Sequence, residues 1–141
     1  FRKAGGCDSG LFAQDHSLFL RLAMRGGIAK LEHLLCLGPA EEPHRIMVNK
    51  AQVMHDSTLA LARLLQQNPD LPRRYHRAIT RTIADRANKW ARRELRRVSR
   101  LDPCFLTNAL AKLPGVCLSP ARLAKHCKVF LEDAEVRLAE D

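Results

Sequence analysis

Cysteine and histidine side chains could bind a transition metal, and cysteines could also exchange disulfides. The candidates are five cysteines and the histidine next to the last of them: Cys7, Cys36, Cys104, Cys117, Cys127 and His126. Structural zinc sites usually contain closely paired ligands, and no CxxC pair occurs here. The odd number and irregular spacing therefore favour reduced, partly buried thiols of a cytosolic protein over a metal site.

A strongly basic segment could also do chemistry, because guanidinium and ammonium groups bind phosphates. Eleven Lys and Arg residues, but only Asp85 and Glu94, lie between Pro72 and Arg100. The segment carries +9, which equals the formal net charge of the whole chain. Three interpretations are open: a solvated helix face, contact with anionic lipid headgroups, or contact with nucleic-acid phosphates. Nucleic acid is the least favoured, because no nucleic-acid-binding signature is present and Trp90 falls on the apolar stripe.

Asp15 and His16 are candidate proton-transfer groups within the glycine-rich stretch FRKAGGCDSGLFAQDHSLFLRLAMRGG at residues 1–27. Asp15 begins a helical pattern, and an aspartate at that position often only caps the helix. The residues by themselves favour capping for Asp15 and simple surface exposure for His16.

The same stretch resembles the closing part of the catalytic domain of family 2 glycosyltransferases, which have the GT-A fold. The family's double-glycine turn is matched by Arg2, Gly5, Gly6, Asp8 and Phe12. Its acidic helix motif is matched by Asp15, Leu18, Arg21 and Leu22, and the following small loop by Gly26 and Gly27. The sequence departs from the family at Cys7, Gln14 and Ser17, which stand where an aromatic and two acidic residues are usual.

The resemblance implies a sugar transfer in which Asp15 is the general base that takes a proton from the acceptor hydroxyl. A helix N-terminus favours the ionised carboxylate that this role requires. The substrate-binding residues that it implies are Gly6, Asp8, His16 and Arg45, with Arg45 as a phosphate contact. Arg21 is expected to form a structural salt bridge with an acidic residue upstream.

The resemblance also implies a nucleotide-sugar donor, a glycan or lipid-linked acceptor, and a divalent metal, Mg or Mn, in the intact enzyme. The family holds that metal with an Asp-x-Asp motif, which this sequence lacks. We therefore expect the nucleotide-binding half of the domain to lie upstream and the segment alone to be inactive. The expected location is the cytoplasm, at the inner face of the membrane. The alternative is a non-enzymatic basic helical module that binds nucleic acid or an anionic membrane.

A short α/β piece and a longer run of helices must position these residues. Apolar spacing predicts helices from Asp15 to Gly26, over 46–67, 72–100 and 103–113, and from Ser119 onward, with a strand over 28–37. Leu18 and Leu22 are predicted on the apolar face of the first helix, and residues from Tyr75 to Val98 on that of the third. Ser119 and Pro120 are typical of an N-cap and a first helical position.

The expected fold is an α/β fragment that is mostly helical. Residues 1–45 would end a GT-A type catalytic domain, and residues 46–141 would form a helical C-terminal extension. A chain of 141 residues, 46% of them hydrophobic, can form one domain with a core. No apolar run approaches the roughly 18 residues that a membrane-spanning helix needs. A lone strand has unpaired edges, so we expect upstream residues to complete its sheet.

Overall fold

The computed structural model describes residues 5, 6, 10, 11, 14–27, 29, 32 and 49–132. Within these ranges there are five α-helices, one 3₁₀ helix and no strand. The elements are α1 (Gln14–Ala23), α2 (Lys50–Gln67), α3 (Arg73–Arg93), α4 (Pro103–Lys112), α5 (Pro120–His126) and the 3₁₀ helix Cys127–Leu131. The prediction of a mostly helical fold is confirmed. The predicted strand 28–37 lies outside the described residues except for Ala29 and Glu32, neither of which is in a strand.

Helix α2 is the centre of the fold. It packs against α1, α3, α5 and the 3₁₀ helix. The Asn49 side chain caps its first turn by accepting a hydrogen bond from the backbone N–H of Gln52, at 3.0 Å. The Asn68 side chain donates to the Leu64 carbonyl at 2.8 Å, and Pro69 follows. The start is therefore three to four residues later than the predicted position 46, and the predicted end is confirmed.

Helix α3 packs against α2 and α4 and exposes most of its basic residues. Its buried residues recur every three to four positions: Thr80, Ile83, Ala84, Ala87, Asn88 and Ala91. The Trp90 and Phe130 rings meet edge to face, with centroids 5.6 Å apart. Phe130 is completely buried, so this contact anchors the 3₁₀ helix beside α3.

The prediction that the third helix continues to residue 100 is wrong. Helix α3 ends at Arg93, and Arg96 has a left-handed backbone with φ of 52°. The Arg97 backbone N–H donates a hydrogen bond to the Ala91 carbonyl at 2.9 Å, and the Arg97 side chain forms an ion pair with Glu132. The chain after Arg93 is therefore a loop, in which Val98 is 84% exposed instead of lying on a buried helix face.

The last two α-helices begin where local capping residues place them. Asp102 accepts a hydrogen bond from the Cys104 backbone N–H at 2.8 Å and caps α4. Ser119 accepts from the Arg122 backbone N–H at 3.3 Å and caps α5, with Pro120 in the first turn. These positions confirm the predicted starts. Helix α5 gives way to 3₁₀ geometry at Cys127, and the predicted continuation beyond residue 132 lies outside the described residues.

Helix α1 packs on α2, but not entirely with its predicted face. Ser17 is buried and Leu20 contacts the core, whereas Leu22 is 37% and Phe19 59% exposed. Spacing correctly predicts the helix, but it misplaces Leu22 in the interior. None of the described helices is long and apolar enough to span a membrane.

Candidate functional site

The first turn of α1 presents two of the predicted site residues, Asp15 and His16. Asp15 is exposed, and its Oδ1 accepts a hydrogen bond from the His16 backbone N–H at 2.8 Å. This contact occupies one carboxylate oxygen within the helix terminus and places the exposed carboxylate beside the imidazole. Asp15 is the second residue of α1, and this bond comes from its immediate neighbour and not from a residue two or three positions on, so the predicted N-cap hydrogen bond is not among its described contacts. Its carboxylate is open to solvent.

His16 is half-buried, and its environment lowers its pKa below the usual 6.5. Burial is the main cause, the positive charge of Arg86 on α3 acts in the same direction, and the negative charge of Asp15 opposes both. The imidazole is therefore neutral at neutral pH, a form in which one ring nitrogen accepts and the other donates a hydrogen bond. Sequence reasoning counted Arg86 only as one of eleven basic residues and missed its effect on the pKa of His16.

Arg21 joins α1 to the double-glycine turn. Its guanidinium donates to the Gly5 carbonyl oxygen at 3.5 Å and to the Ser17 hydroxyl at 3.3 Å, and the Ser17 hydroxyl donates to the Gln14 carbonyl. The expected salt bridge of Arg21 is not among its described contacts, because a carbonyl and a hydroxyl supply the acceptors instead. The two halves of the motif, the turn and the helix, are thus held together by one side chain.

The double glycine is needed for backbone reasons. Gly5 and Gly6 have φ of 80° and 65°, in the left-handed region that side chains disfavour. At Gly10 an added Cβ would lie 2.6 Å from the flexible end of the Arg63 side chain of α2, which would have to shift. Gly6 therefore has a demonstrated structural reason for its identity. Asp8 and Arg45, the other predicted substrate-binding residues, lie outside the described residues.

An open groove of about 520 Å³ lies between the start of α2 and the second half of α3. Part of its lining is uncharged: Val53, Met54, Thr82 and Trp90. The rest is charged, with four basic and two acidic residues: Lys50, Arg86, Lys89, Arg93, Asp85 and Glu94. The buried indole N–H of Trp90 has no hydrogen-bond partner in the described structure. Arg86 lines the groove and also lowers the pKa of His16 through its charge. An anionic group would find several cations there.

A buried polar cluster on α2 was missed by sequence reasoning. The Asp56 carboxylate, 2% exposed, accepts from the Gln52 side-chain amide at 3.1 Å and lies 2.9 Å from Nδ1 of His55. In the sequence, Gln52, His55 and Asp56 fall within the first two turns of the helix, where polar residues are usually exposed to solvent. Only the packing of α2 at the centre of the fold encloses them, so no local signal could have identified them.

The cysteines in the described part are free thiols, of which Cys104 and Cys127 are buried and Cys117 is exposed. Burial raises the pKa of Cys104 to about 11, with the nearby Asp102 charge acting in the same direction. Burial also raises the pKa of Cys127 to about 12. Both therefore stay protonated at neutral pH and act as apolar core residues. In the described ranges, no three His, Cys, Asp or Glu side chains converge as metal ligands.

Comparison with known proteins identifies no relative: no family model, no curated protein and no solved structure matches this chain.

Proposed function

We propose that this chain is the acceptor-side part of an inverting family 2 glycosyltransferase of GT-A fold, with Asp15 as its general base. The observation that carries the proposal is the exposed Asp15 carboxylate at the start of α1, held next to the glycine turn that Arg21 ties to the same helix. This arrangement supports the sequence resemblance, because the turn and the helix motif are adjacent in space as well as in sequence.

In the proposed reaction, the Asp15 carboxylate takes the proton of the acceptor hydroxyl as that oxygen attacks the anomeric carbon of the donor sugar. The bond from the anomeric carbon to the nucleotide diphosphate breaks, and the diphosphate leaves with the electron pair. Neutral His16 would accept or donate a hydrogen bond to the acceptor, which its position next to Asp15 supports. Gly6, Asp8 and Arg45 remain proposed substrate contacts on the basis of the resemblance.

The nucleotide-sugar donor and the Mg or Mn ion of the intact enzyme would be held by a nucleotide-binding half upstream of Phe1. The described side chains do not converge into a metal site, so we assign no metal-dependent step to them. Residues 1–45 would close the catalytic domain and residues 46–141 would extend it, with α1 packed directly on α2. Exposed Phe19 and Leu22 on α1 are consistent with a further part of that domain covering them.

The acceptor would be a glycan or a lipid-linked sugar, used in the cytoplasm at the inner face of the membrane. The charge of residues 72–100 supports this location, because clustered arginines bind anionic lipid surfaces. Nucleic-acid binding, the alternative use of that charge, gains no support from Trp90 as a base-stacking platform, since Trp90 packs on Phe130.

The test is Asp15→Asn in the complete polypeptide that carries this sequence, assayed with a panel of labelled nucleotide sugars. We expect transfer to fall by about 10²–10⁴-fold with donor binding unchanged, because only proton removal is lost. Asp70→Asn, in the exposed turn after α2, is the matched control and should retain full transfer. Retained turnover in Asp15→Asn would contradict the role of Asp15. Failure of the unmodified polypeptide to bind any nucleotide sugar would contradict the transferase assignment itself.

A further inference from the structure

Exposed apolar side chains concentrate on α4 and on the loop that leads into it. Five of the nine large hydrophobic residues exposed in the described structure lie between positions 98 and 113: Val98, Leu101, Leu106, Leu110 and Leu113. Val98 and Leu101 in the loop are 84% and 80% exposed. The three leucines from position 106 onward are spaced by four and three residues and so form one ridge, opposite the buried Cys104, Thr107, Asn108 and Ala111.

The basic residues of α3 and the following loop divide into two groups by what they contact. The first group contacts other residues of the protein. Three members donate hydrogen bonds: Arg73 to the Gly115 carbonyl, Arg81 to the end of α4 and Arg86 to the Ser57 hydroxyl. The others form ion pairs, Lys89 with Asp85 and Arg97 with Asp102 and Glu132, or a cation–π contact, Arg74 with the Tyr75 ring. The second group makes no side-chain hydrogen bond or ion pair with the rest of the described chain: Arg77, Arg92, Arg93, Arg96 and Arg100. Four of these five lie within residues 92–100, beside the exposed Val98 and Leu101.

A polar pocket of about 460 Å³ lies at the same end of α3. Arg92 and Arg100 line it together with Asn88, Arg97, Val98, Ser99, Asp102 and Phe105. The Asp102 carboxylate is paired with Arg97 at 3.6 Å, so Arg92 and Arg100 are the lining cations without an ion pair in the described chain. Asn88 is 8% exposed, and its buried side-chain oxygen has no hydrogen-bond partner in the described structure. Arg92 and Arg100 could bind an anionic group in this pocket, because charge-assisted hydrogen bonds to a guanidinium are strong.

We propose that α4 and the loop 94–101 form a docking face for an anionic membrane, with a lipid phosphate in the Arg92–Arg100 pocket. The leucines would enter the boundary between headgroups and acyl chains, and the unengaged arginines would meet the phosphates. Fluid lipid fits these residues better than a protein partner does. The loop side chains protrude almost fully, and lipid accepts protruding side chains without a shaped cavity. Between positions 92 and 102 there are five arginines and two acidic residues, Glu94 and Asp102, so the local charge is positive.

This inference deepens the proposed membrane location, and it moves the contact from the whole of α3 to its C-terminal end and α4. It is independent of Asp15. The test is co-sedimentation of the full chain with vesicles of phosphatidylcholine, alone or mixed with phosphatidylglycerol. We expect binding only to the mixed vesicles, weakened by salt because the attraction is partly electrostatic.

Two double variants separate the two contributions. Val98→Ser with Leu101→Ser, and Arg96→Gln with Arg100→Gln, should each weaken vesicle binding at least tenfold. All four side chains are exposed, so folding should be retained, as checked by circular dichroism. The matched controls are Phe19→Ser with Leu22→Ser on α1, and Arg77→Gln near the start of α3, which should bind within twofold of the unmodified chain.

Unchanged binding by both double variants, or no preference for phosphatidylglycerol, would overturn the proposal. If soluble glycerol phosphate released the chain from the mixed vesicles as effectively as an excess of unlabelled vesicles does, the proposal would also be overturned. The site would then bind a free phosphate and not a membrane. Asp15→Asn should keep full vesicle binding. Its failure in the transfer assay is therefore distinguishable from failure of the docking face.

Discussion

The Arg81 side chain on α3 donates a hydrogen bond to the carbonyl oxygen of Ala111 on α4, with its Nε 3.2 Å from that oxygen. A second nitrogen of the same guanidinium lies 3.3 Å from the Lys112 carbonyl. The final carbonyls of a helix have no partner within the helix, so a cation beside them stabilises its end. Part of the basic helix is therefore structural, and its charge is not entirely available to a ligand.

Replacing Arg81 with Met should lower the free energy of unfolding by about 1 kcal/mol, because the last turn of α4 loses its donors. Urea denaturation followed by circular dichroism measures this change. Arg77→Met on the same helix is the matched control and should stay within about 0.5 kcal/mol of the parent, since Arg77 has no polar side-chain contact in the described structure. Equal destabilisation by the two variants would contradict a specific role for Arg81.

Phe130→Ala should be among the most damaging single substitutions. Phe130 is fully buried and packs edge to face on Trp90, so its removal leaves a cavity that costs about 3–5 kcal/mol. The fluorescence of Trp90, the sole tryptophan, reports unfolding in guanidinium. Leu101→Ala, at a site that is 80% exposed, should change stability by less than about 0.5 kcal/mol. A stable Phe130→Ala protein would show that the 3₁₀ helix is not part of the core.

The pKa of His16 should move in opposite directions in two variants. Arg86→Gln removes a positive charge that disfavours protonation, so the pKa should rise. Asp15→Asn removes a negative charge that favours protonation, so the pKa should fall. Titration of the His16 ring protons by NMR measures both shifts. Shifts in the same direction, or none, would show that Arg86 and Asp15 do not flank this imidazole.

Stability should fall as the pH drops below about 6.5, in part because of His126. Burial lowers the pKa of His126 below its usual 6.5, Asp102 opposes this shift, and Arg122 reinforces it. Between the folded and unfolded pKa values the unfolded chain binds more protons, so acid favours unfolding. In urea denaturation, the His126→Gln variant should lose less free energy of unfolding between pH 7 and pH 5 than the unmodified chain does. Some pH dependence should remain, because the pKa of His16 is also lowered. An unchanged pH dependence would contradict burial of His126.

The thiols should differ sharply in reactivity. Cys117 is exposed, whereas burial raises the pKa of Cys104 and Cys127 to about 11 and 12. Maleimide at neutral pH should therefore label Cys117 first, and the other two only after denaturant is added. Peptide mass mapping distinguishes the three sites. Rapid labelling of Cys127 in the native protein would contradict the packing of the 3₁₀ helix.

Features that depend on neighbouring residues in the chain were predictable. Ser119 and Pro120 correctly mark the start of α5, and Asn68 and Pro69 the end of α2, because caps and proline act within one helical turn. The burial of Leu123, Cys127 and Phe130 also follows from their spacing. The exposed Asp15 at a helix start was likewise identifiable, since its position depends only on the local helix.

Other features were decided by contacts between residues far apart in the sequence. Helix α3 stops at Arg93 and not at 100, where Arg96 takes a left-handed backbone and Arg97 reaches Glu132. No glycine marks that turn, so local rules continued the helix. The electrostatic effect of Arg86 on His16 likewise depends on tertiary structure, because α1 and α3 both pack against α2.

The sequence by itself determined the helical segments, their polar and apolar faces, and the concentration of net charge in residues 72–100. The tertiary structure decided which faces are covered, enclosing Asp56 while leaving Leu22 and Val98 exposed. It also decided which arginines are engaged, with Arg81 held by α4 and Arg100 left without a polar side-chain contact in the described chain. The physical reason is that spacing defines which side chains share a face, whereas burial and pairing depend on what the rest of the chain brings against it.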